Sequence, residues 1–393
     1  MSRWQQLGDR RQAGLGLAML GRVNFFIGGE THEAEDCLLE AIRLLEPDGP
    51  SRELVRAHVW TLPLRYASGR ATEGRAEATQ AIRIDEALGG TVFRAQLDTS
   101  LGVMEAMGGD PSGADRVRAA LASAEESGDV EAIARAHLNL VLSLYELSDN
   151  AEGIAAADAG RQAIRRFGTA AFGWAIAGTQ AEMHVQLGAF KDAIDLATFV
   201  LSSDRARIIP AAIVWAGSAA ARALLRLGRM EEAARTLEDV LAPARELGGT
   251  SFLARLLAVD AELQEAKGDL SAAREKASEL LGVLVGSTAV CEQVRCLPLV
   301  ARVLGQEAHD SLRARLPVES IPAAFRPRYR EADGLITKDA RALAEASQLY
   351  ATLRLPYDEA RSRMLAGDAD GCSAVLQTLD APLPEHWRPV WGS

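Results

Sequence analysis

Six histidines, four cysteines and a few adjacent carboxylates are the residues most able to do chemistry in this chain, and their spacing argues against it. His32, His58, His137, His184, His309 and His386 stand apart from one another. No two of them form an HExxH or i,i+4 pair, the spacing that puts two imidazoles on one helix face for a metal, so neither a metal nor a cofactor is expected. Cys37, Cys291, Cys296 and Cys372 match no zinc-ligand spacing and no disulfide framework. Cys291 and Cys296, five positions apart, fall on different faces of a helix and read as buried or free thiols. The pairs Glu125-Glu126 and Glu231-Glu232 lie on helix surfaces, where solvation is a plainer role than acid–base catalysis. There is no GxSxG elbow, no Cys–His constellation and no GxxxxGK[ST] loop to cradle nucleotide phosphates. The expectation is a protein that is not an enzyme.

Binding is what remains. The one concentrated basic region runs through Arg313, Arg315, Arg326, Arg328 and Arg330, with Phe325 and Tyr329 between them. Arg326, Arg328 and Arg330 are the candidate contact for an anionic partner. The plainer reading is a solvated linker whose arginines pair with acidic groups elsewhere. The formal net charge of −11 makes direct nucleic-acid binding unexpected. A second candidate is a groove. If the more apolar helices line the concave face of a helical array, the residues four and eight positions before each helix break share one face. On that face stand Asn24, Arg65, Gln180, His184, Asp260 and Gln264, interleaved with Leu20, Thr61, Ser100, Met104, Leu140, Leu144, Ala220 and Leu224. Trp60 and Trp215 on the same helices are candidate aromatic anchors. A face of mixed polarity suits a peptide or helix laid along it.

The elements that would position these residues follow from the breaks. Gly28-Gly29, Gly69, Gly108-Gly109, Ser148-Asp149, Gly188, Gly228 and Gly268 interrupt apolar stretches at intervals of about 40 residues, the mark of a repeat array. A second series falls half a period later, at Gly49, Gly89-Gly90, Gly128, Gly168, Gly248-Gly249 and Gly286. Two interleaved series mean two helices per repeat, a broadly apolar helix A and an amphipathic helix B. Five residues after each first-series break comes a small residue: Ala34, Gly74, Gly113, Gly153, Ala193, Ala233, Ala273. Two helices approach to about 8 Å only where one of them presents little side chain. The predicted class is therefore all-α, a right-handed superhelical solenoid of antiparallel helix pairs.

Seven such repeats occupy residues 1–286. Residues 287–334 read as a degenerate repeat followed by an irregular Arg/Pro-containing segment, residues 335–380 as C-terminal helical hairpins, and 381–393 as a loose tail. Pro63 is expected to kink or split its helix. Leu7-Gly8-Asp9 is in phase with the ends of B helices, so the first A helix, with Leu15, Leu17, Met19, Leu20, Val23, Phe25 and Phe26, lacks the polar cap that solenoid ends usually carry. Self-association or partner contact through that uncapped repeat is expected. No run of apolar residues approaches the ~18 needed to span a membrane and no secretory h-region is present, so a cytoplasmic setting without membrane contact is expected.

The beat Leu227-Gly228-Arg229 followed by Glu232-Ala233-Ala234 resembles tetratricopeptide repeats, although the period is longer than the usual ~34 residues. Longer segments, LGDRRQAG at 7–14, EAIRLLEPDGPSRELVRAH at 40–58, IARAHLNLVLSLYEL at 133–147 and LYATLRLPYDEARSRMLAGD at 349–368, resemble the helical-repeat region of large bacterial LuxR-type ATP-dependent regulators. The run Leu355-Pro356-Tyr357-Asp358-Glu359-Ala360 carries most of that resemblance. The ATPase and helix-turn-helix modules of such regulators have no counterpart here. The resemblance implies a non-enzymatic protein-interaction scaffold or sensor of a transcriptional-regulatory or signalling system, with a protein or peptide partner. The alternative is a receptor for a small molecule or short peptide in the concave groove.

Overall fold

The structure, a computed structural model, describes residues 9–26, 31–90, 93–168, 170–207, 209–316 and 322–389. The Gly28-Gly29 break and the Leu7-Gly8 helix end lie outside them. Among the described residues the chain has twenty α-helices and no strand, arranged as a superhelical solenoid of antiparallel pairs. Seven pairs follow the predicted rhythm: α1 (Arg10–Phe26) and α2 (Thr31–Leu45), α3 (Arg52–Ala67) and α4 (Ala71–Ala87), α5 (Arg94–Met107) and α6 (Ser112–Ser127), α7 (Val130–Glu146) and α8 (Asn150–Phe167), α9 (Ala170–Gln186) and α10 (Phe190–Leu201), α11 (Pro210–Arg226) and α12 (Met230–Leu247), α13 (Thr250–Ala266) and α14 (Leu270–Val285). Three more follow: α15 (Val290–Leu304) and α16 (Gln306–Arg313), α17 (Arg326–Thr337) and α18 (Ala340–Thr352), α19 (Pro356–Leu365) and α20 (Ala369–Thr378). Each odd-numbered helix is the A helix of its pair.

The breaks work through backbone geometry. At the α11–α12 turn Gly228 has φ 74°, and the Arg229 and Gly228 amides donate to the Leu224 and Leu225 carbonyls at 2.9 and 3.0 Å. That is a Schellman ending, which satisfies the last carbonyls of the helix while reversing the chain. Ser148 takes the same left-handed conformation at φ 60°, which explains how the fourth repeat keeps the turn without glycine. Helix starts are fixed by side chains: Asp129 accepts the Glu131 and Ala132 amides, and Asp339 those of Arg341 and Ala342.

The small residue after each turn sits where A and B helices come closest. Ala34, Ala193, Ala233 and Ala273 are fully buried. A Cβ added to Gly113 would lie 2.3 Å from the Gly102 carbonyl oxygen. Pro63 does not split α3, which runs unbroken through it.

Two segments depart from expectation. In residues 287–334 the Arg/Pro-containing part is more helical than expected, because α16 and α17 follow α15 and continue the solenoid. Pro327 stands in the first turn of α17, where a missing N–H costs nothing, so proline there marks a helix start. Residues 381–389 of the expected tail pack onto the solenoid. Trp387 is 3% exposed, with its ring 5.1 Å from that of Tyr357, and a Cβ at Gly228 would lie 2.9 Å from Pro382.

The superhelix closes tightly enough for successive turns to touch. Ser251 Oγ on α13 donates to the Tyr66 carbonyl on α3, five repeats earlier, at 3.1 Å. Cys291 Sγ on α15 donates to the Ala106 carbonyl on α5 at 3.0 Å. The Thr288 amide and Ser287 Oγ both reach the Gly69 carbonyl, at 2.8 and 2.9 Å. The α9–α10 turn at Gly188 lies against Pro356 and Leu379. Each repeat thus packs on its sequence neighbours and also on a repeat one turn away, which a shallower solenoid does not do.

Overpacking the close contact tests this register. Ala233→Leu is expected to destabilise the chain by about 1–3 kcal/mol, read as a lower urea midpoint. An unchanged midpoint would mean that Ala233 does not sit in the helix–helix seam.

Candidate functional site

The concave face is set by counting back from the left-handed residue of each turn. Six positions back stand Pro63, Val103, Leu142, Glu182, Arg222 and Glu262 in repeats two to seven. The first three line one pocket, and Arg222 and Glu262 line another. The inner surface therefore changes character part-way along the superhelix, from apolar to ionic.

The apolar part is a pocket of about 930 Å³, counting the space open to solvent. Seven A helices converge on it: Phe25 from α1, Leu62 and Tyr66 from α3, Val103 from α5, Leu142 from α7, Phe172 from α9, Trp215 from α11 and Phe252 from α13. Its polar groups are few, chiefly Arg135, Asn139, Thr179 and Ser100.

The ionic part is built on Glu146, at the end of α7. Its Oε2 accepts from Arg295 at 2.7 Å, and its Oε1 accepts from Tyr66 Oη at 3.0 Å and from Arg255 at 3.3 Å. Glu292 pairs with both arginines, at 3.2 and 2.8 Å. Burial alone would raise the Glu146 pKa, but Arg295 and Arg255 outweigh it and hold the carboxyl below its ordinary range. The Arg255 guanidinium lies 3.8 Å from the centre of the Trp215 ring, a cation–π contact. Farther along, Arg361 grips Glu331 through two bonds of 2.6 and 2.8 Å and meets Asp358 at 2.8 Å. Asp358 is raised by burial but more strongly lowered by Arg361, Arg226 and Arg328, to about 2.

Ser100 and Met104 of the predicted groove stripe line the apolar pocket, but its named polar residues turn toward the B helices. Arg65 is buried between Glu77 of α4, at 2.9 Å, and Glu35 of α2. Gln180 of α9 is buried against α8, donating to Asp158 at 2.9 Å and accepting from Arg161 at 3.0 Å. His184 is half-buried, its pKa lowered by burial despite Asp192 and Asp158 of the B helices. Gln264 donates to buried Asp260 at 2.8 Å, and Asn24 is half-buried at the end of α1. These positions lie two residues from Pro63, Val103, Leu142, Glu182, Arg222 and Glu262, about 200° around the helix. Of the two tryptophans, Trp215 lines the pocket, whereas Trp60 is core, stacked under Arg22 and Arg56 at 5.0 and 5.9 Å.

The basic segment is also redistributed. Arg326 is exposed, but Arg330 pairs with Glu345 at 2.6 Å. Arg328 is buried beside Asp358 and Tyr350, donating to the Ala324 carbonyl at 3.3 Å, so the three do not form an open anionic-partner patch. Sequence reading missed Arg135, Glu146, Arg255 and Arg295. The available signal was a charge recurring inside otherwise apolar A helices. Among the described residues no cluster of metal-ligating side chains lies together, and no helix is long and apolar enough to cross a membrane.

No protein-family model matches the chain, and no curated protein matches it in sequence. Among solved structures the chain is similar to a Rap protein complexed with competence and sporulation factor. The identity is 13% and the TM-score 0.55, over 83% of this chain and 96% of that one. The likeness shows the fold. A circular tandem repeat protein with novel repeat topology and enhanced subunit contact surfaces aligns over 96% of this chain and 86% of its own at 16% identity, but with a TM-score of 0.21 it bears on nothing further.

The ionic core makes two stability predictions. Glu146→Gln leaves Arg255 and Arg295 with one carboxylate fewer in a buried site and is expected to cost about 3–5 kcal/mol by urea titration. Because Glu146 and Asp358 have folded pKa values below their unfolded ones, their contribution is present above about pH 4 and lost as pH falls further. The urea midpoint should therefore drop on acidification from pH 4 toward about 2, where Asp358 protonates in the folded state. A midpoint that is flat over that window would deny the network its role.

Proposed function

We propose that the chain is a non-enzymatic helical-repeat receptor or scaffold that holds a protein or peptide segment in the apolar half of its groove. The observation that carries this reading is the convergence of seven A helices on one apolar pocket. An apolar concavity with a few polar groups is the general form of a binding site. Support also comes from the Rap protein of the same fold, which was solved in complex with competence and sporulation factor.

The regulatory part of the proposal, a scaffold or sensor in a bacterial transcriptional-regulatory or signalling system, rests on the resemblance of residues 40–58 and 349–368 to LuxR-type regulators. A cytoplasmic setting belongs to that reading. Mechanistically, a ligand bridging several A helices stabilises one curvature of the array, and differential affinity for that curvature is what would pass a signal to a partner. A small-molecule ligand in the same pocket is the second reading, favoured by how apolar its walls are. A further surface on α1, where Met19 and Val23 are 54% and 48% exposed, suits self-association or another protein.

Site-specific photocrosslinking separates these. A photoreactive residue at Leu138, on the pocket wall, is expected to trap a defined partner in cells, whereas one at Glu275, exposed on α14, is not. Trapping from position 275 alone would overturn the groove reading. Trapping from position 19 with none from 138 would move the interface to α1.

A further inference from the structure

The apolar pocket has one buried charge in its wall. Arg135, on α7, is 2% exposed and lines the pocket. Its carboxylate partner is Glu131, one turn earlier, whose Oε1 accepts from Arg135 Nη2 at 3.3 Å. The same oxygen accepts from Arg22 at 2.9 Å. Two guanidiniums therefore share one carboxylate, and that carboxylate is itself 39% exposed. Arg135 Nε has no partner. The next nearest acid, Asp129, is engaged in capping α7 through the Glu131 and Ala132 amides.

Three of the other buried arginines of the concave side have more carboxylate partners, while Arg226 rests on the Tyr357 ring, 4.2 Å from its centre. Arg255, Arg295 and Arg361 each meet two carboxylates. Burial pulls the pKa of Arg135 below the ordinary guanidinium value against the opposing pull of Glu131. The group nevertheless stays charged near neutral pH. A buried cation that lacks a full set of partners is costly to keep, and its donors await an acceptor from outside the chain.

We propose that this pocket binds a small amphipathic carboxylate, with its apolar body among Phe25, Leu142, Phe172 and Trp215 and its anionic group on Arg135. The inference rests on the groove reading above and adds the chemistry of the ligand. Two sources share that chemistry: a free medium-chain fatty acid, and the C-terminal carboxylate of a short apolar peptide. In either case the ligand anion takes the free donors of Arg135, and its tail displaces water from the pocket.

Calorimetric titration of the full chain tests this with octanoate against octan-1-ol, and with acetyl-Leu-Leu-Phe against its C-terminal amide. At least one acid is expected to bind about tenfold or more tightly than its neutral counterpart, the discrimination of a charge-assisted bond. Whichever acid does so identifies the source. Arg135→Met should abolish the preference without lowering the melting temperature, and Arg135→Lys should retain part of it. Asn139→Glu, on the pocket wall one turn after Arg135, should also abolish it by supplying an internal carboxylate; this variant serves should Arg135→Met not fold. Equal binding of acid and neutral forms, or an acid preference that survives Arg135→Met, overturns the proposal and leaves the groove reading standing. Binding of no probe, with crosslinking from Leu138 intact, overturns the carboxylate proposal alone. Binding of no probe together with no crosslinking from Leu138 overturns both.

Discussion

Glu146 is the point through which the superhelix is held closed. It lies at the last turn of α7, in the fourth repeat. Its two oxygens gather Tyr66 from the second repeat, Arg255 from the seventh and Arg295 from the eighth. A tetratricopeptide-like array held only by neighbour contacts can flex along its length, because each interface is local. Here a buried ion cluster joins repeats one full turn apart. Such a cluster adds less net stability than apolar packing of the same volume would, since desolvation offsets most of the Coulomb gain. What it fixes is register. Arg295 also donates to the carbonyls of Tyr145 and Glu146, so the end of α7 is held at one height against α15.

The division of the inner face follows from that constraint. Where the turns meet, the concave residues are Glu146, Glu182, Arg222, Arg226 and Glu262, and they answer the charges of α13, α15, α17 and α19. Glu146 is paired by Arg255 and Arg295, whereas both oxygens of Glu182 are buried without a hydrogen-bond partner. Nearer the N-terminal end the same helix positions carry Pro63, Val103 and Leu142, with nothing across from them to fill the space. The groove is therefore an ionic column continuing into an apolar hollow.

Much of the architecture was legible because it depends on local chemistry. Left-handed turns call for residues such as Gly228, and close helix seams call for Gly113 or Ala233, so both recur with the repeat and both can be read from spacing. The inner face was not legible by the same means. Each A helix is buried nearly all round, so Arg65 on the B-helix side and Glu182 on the inner side look alike in a sequence. The error of two positions followed. The prolines near 317–327 misled for a related reason: Pro327 is a helix breaker in the middle of a pattern and a helix starter at its edge, and only the neighbouring fold decides which. Trp387 packs against Tyr357 from a segment rich in proline, a long-range contact that no local signal announces.

Trp215 is where the two halves of the groove meet. One part of its ring lines the apolar hollow, while the Arg255 guanidinium and the edge-on Tyr145 ring, 4.9 Å away, occupy its other sides. Arg255 is in turn bound to Glu146, and Glu146 to the second, seventh and eighth repeats. A ligand seated against Trp215 thus shares an aromatic ring with the cluster that sets the superhelical register. Close-packed interiors respond to a displaced side chain by switching between packed arrangements rather than by deforming smoothly. Trp215 is thereby the residue common to the wall of the apolar hollow and the surroundings of the ionic cluster.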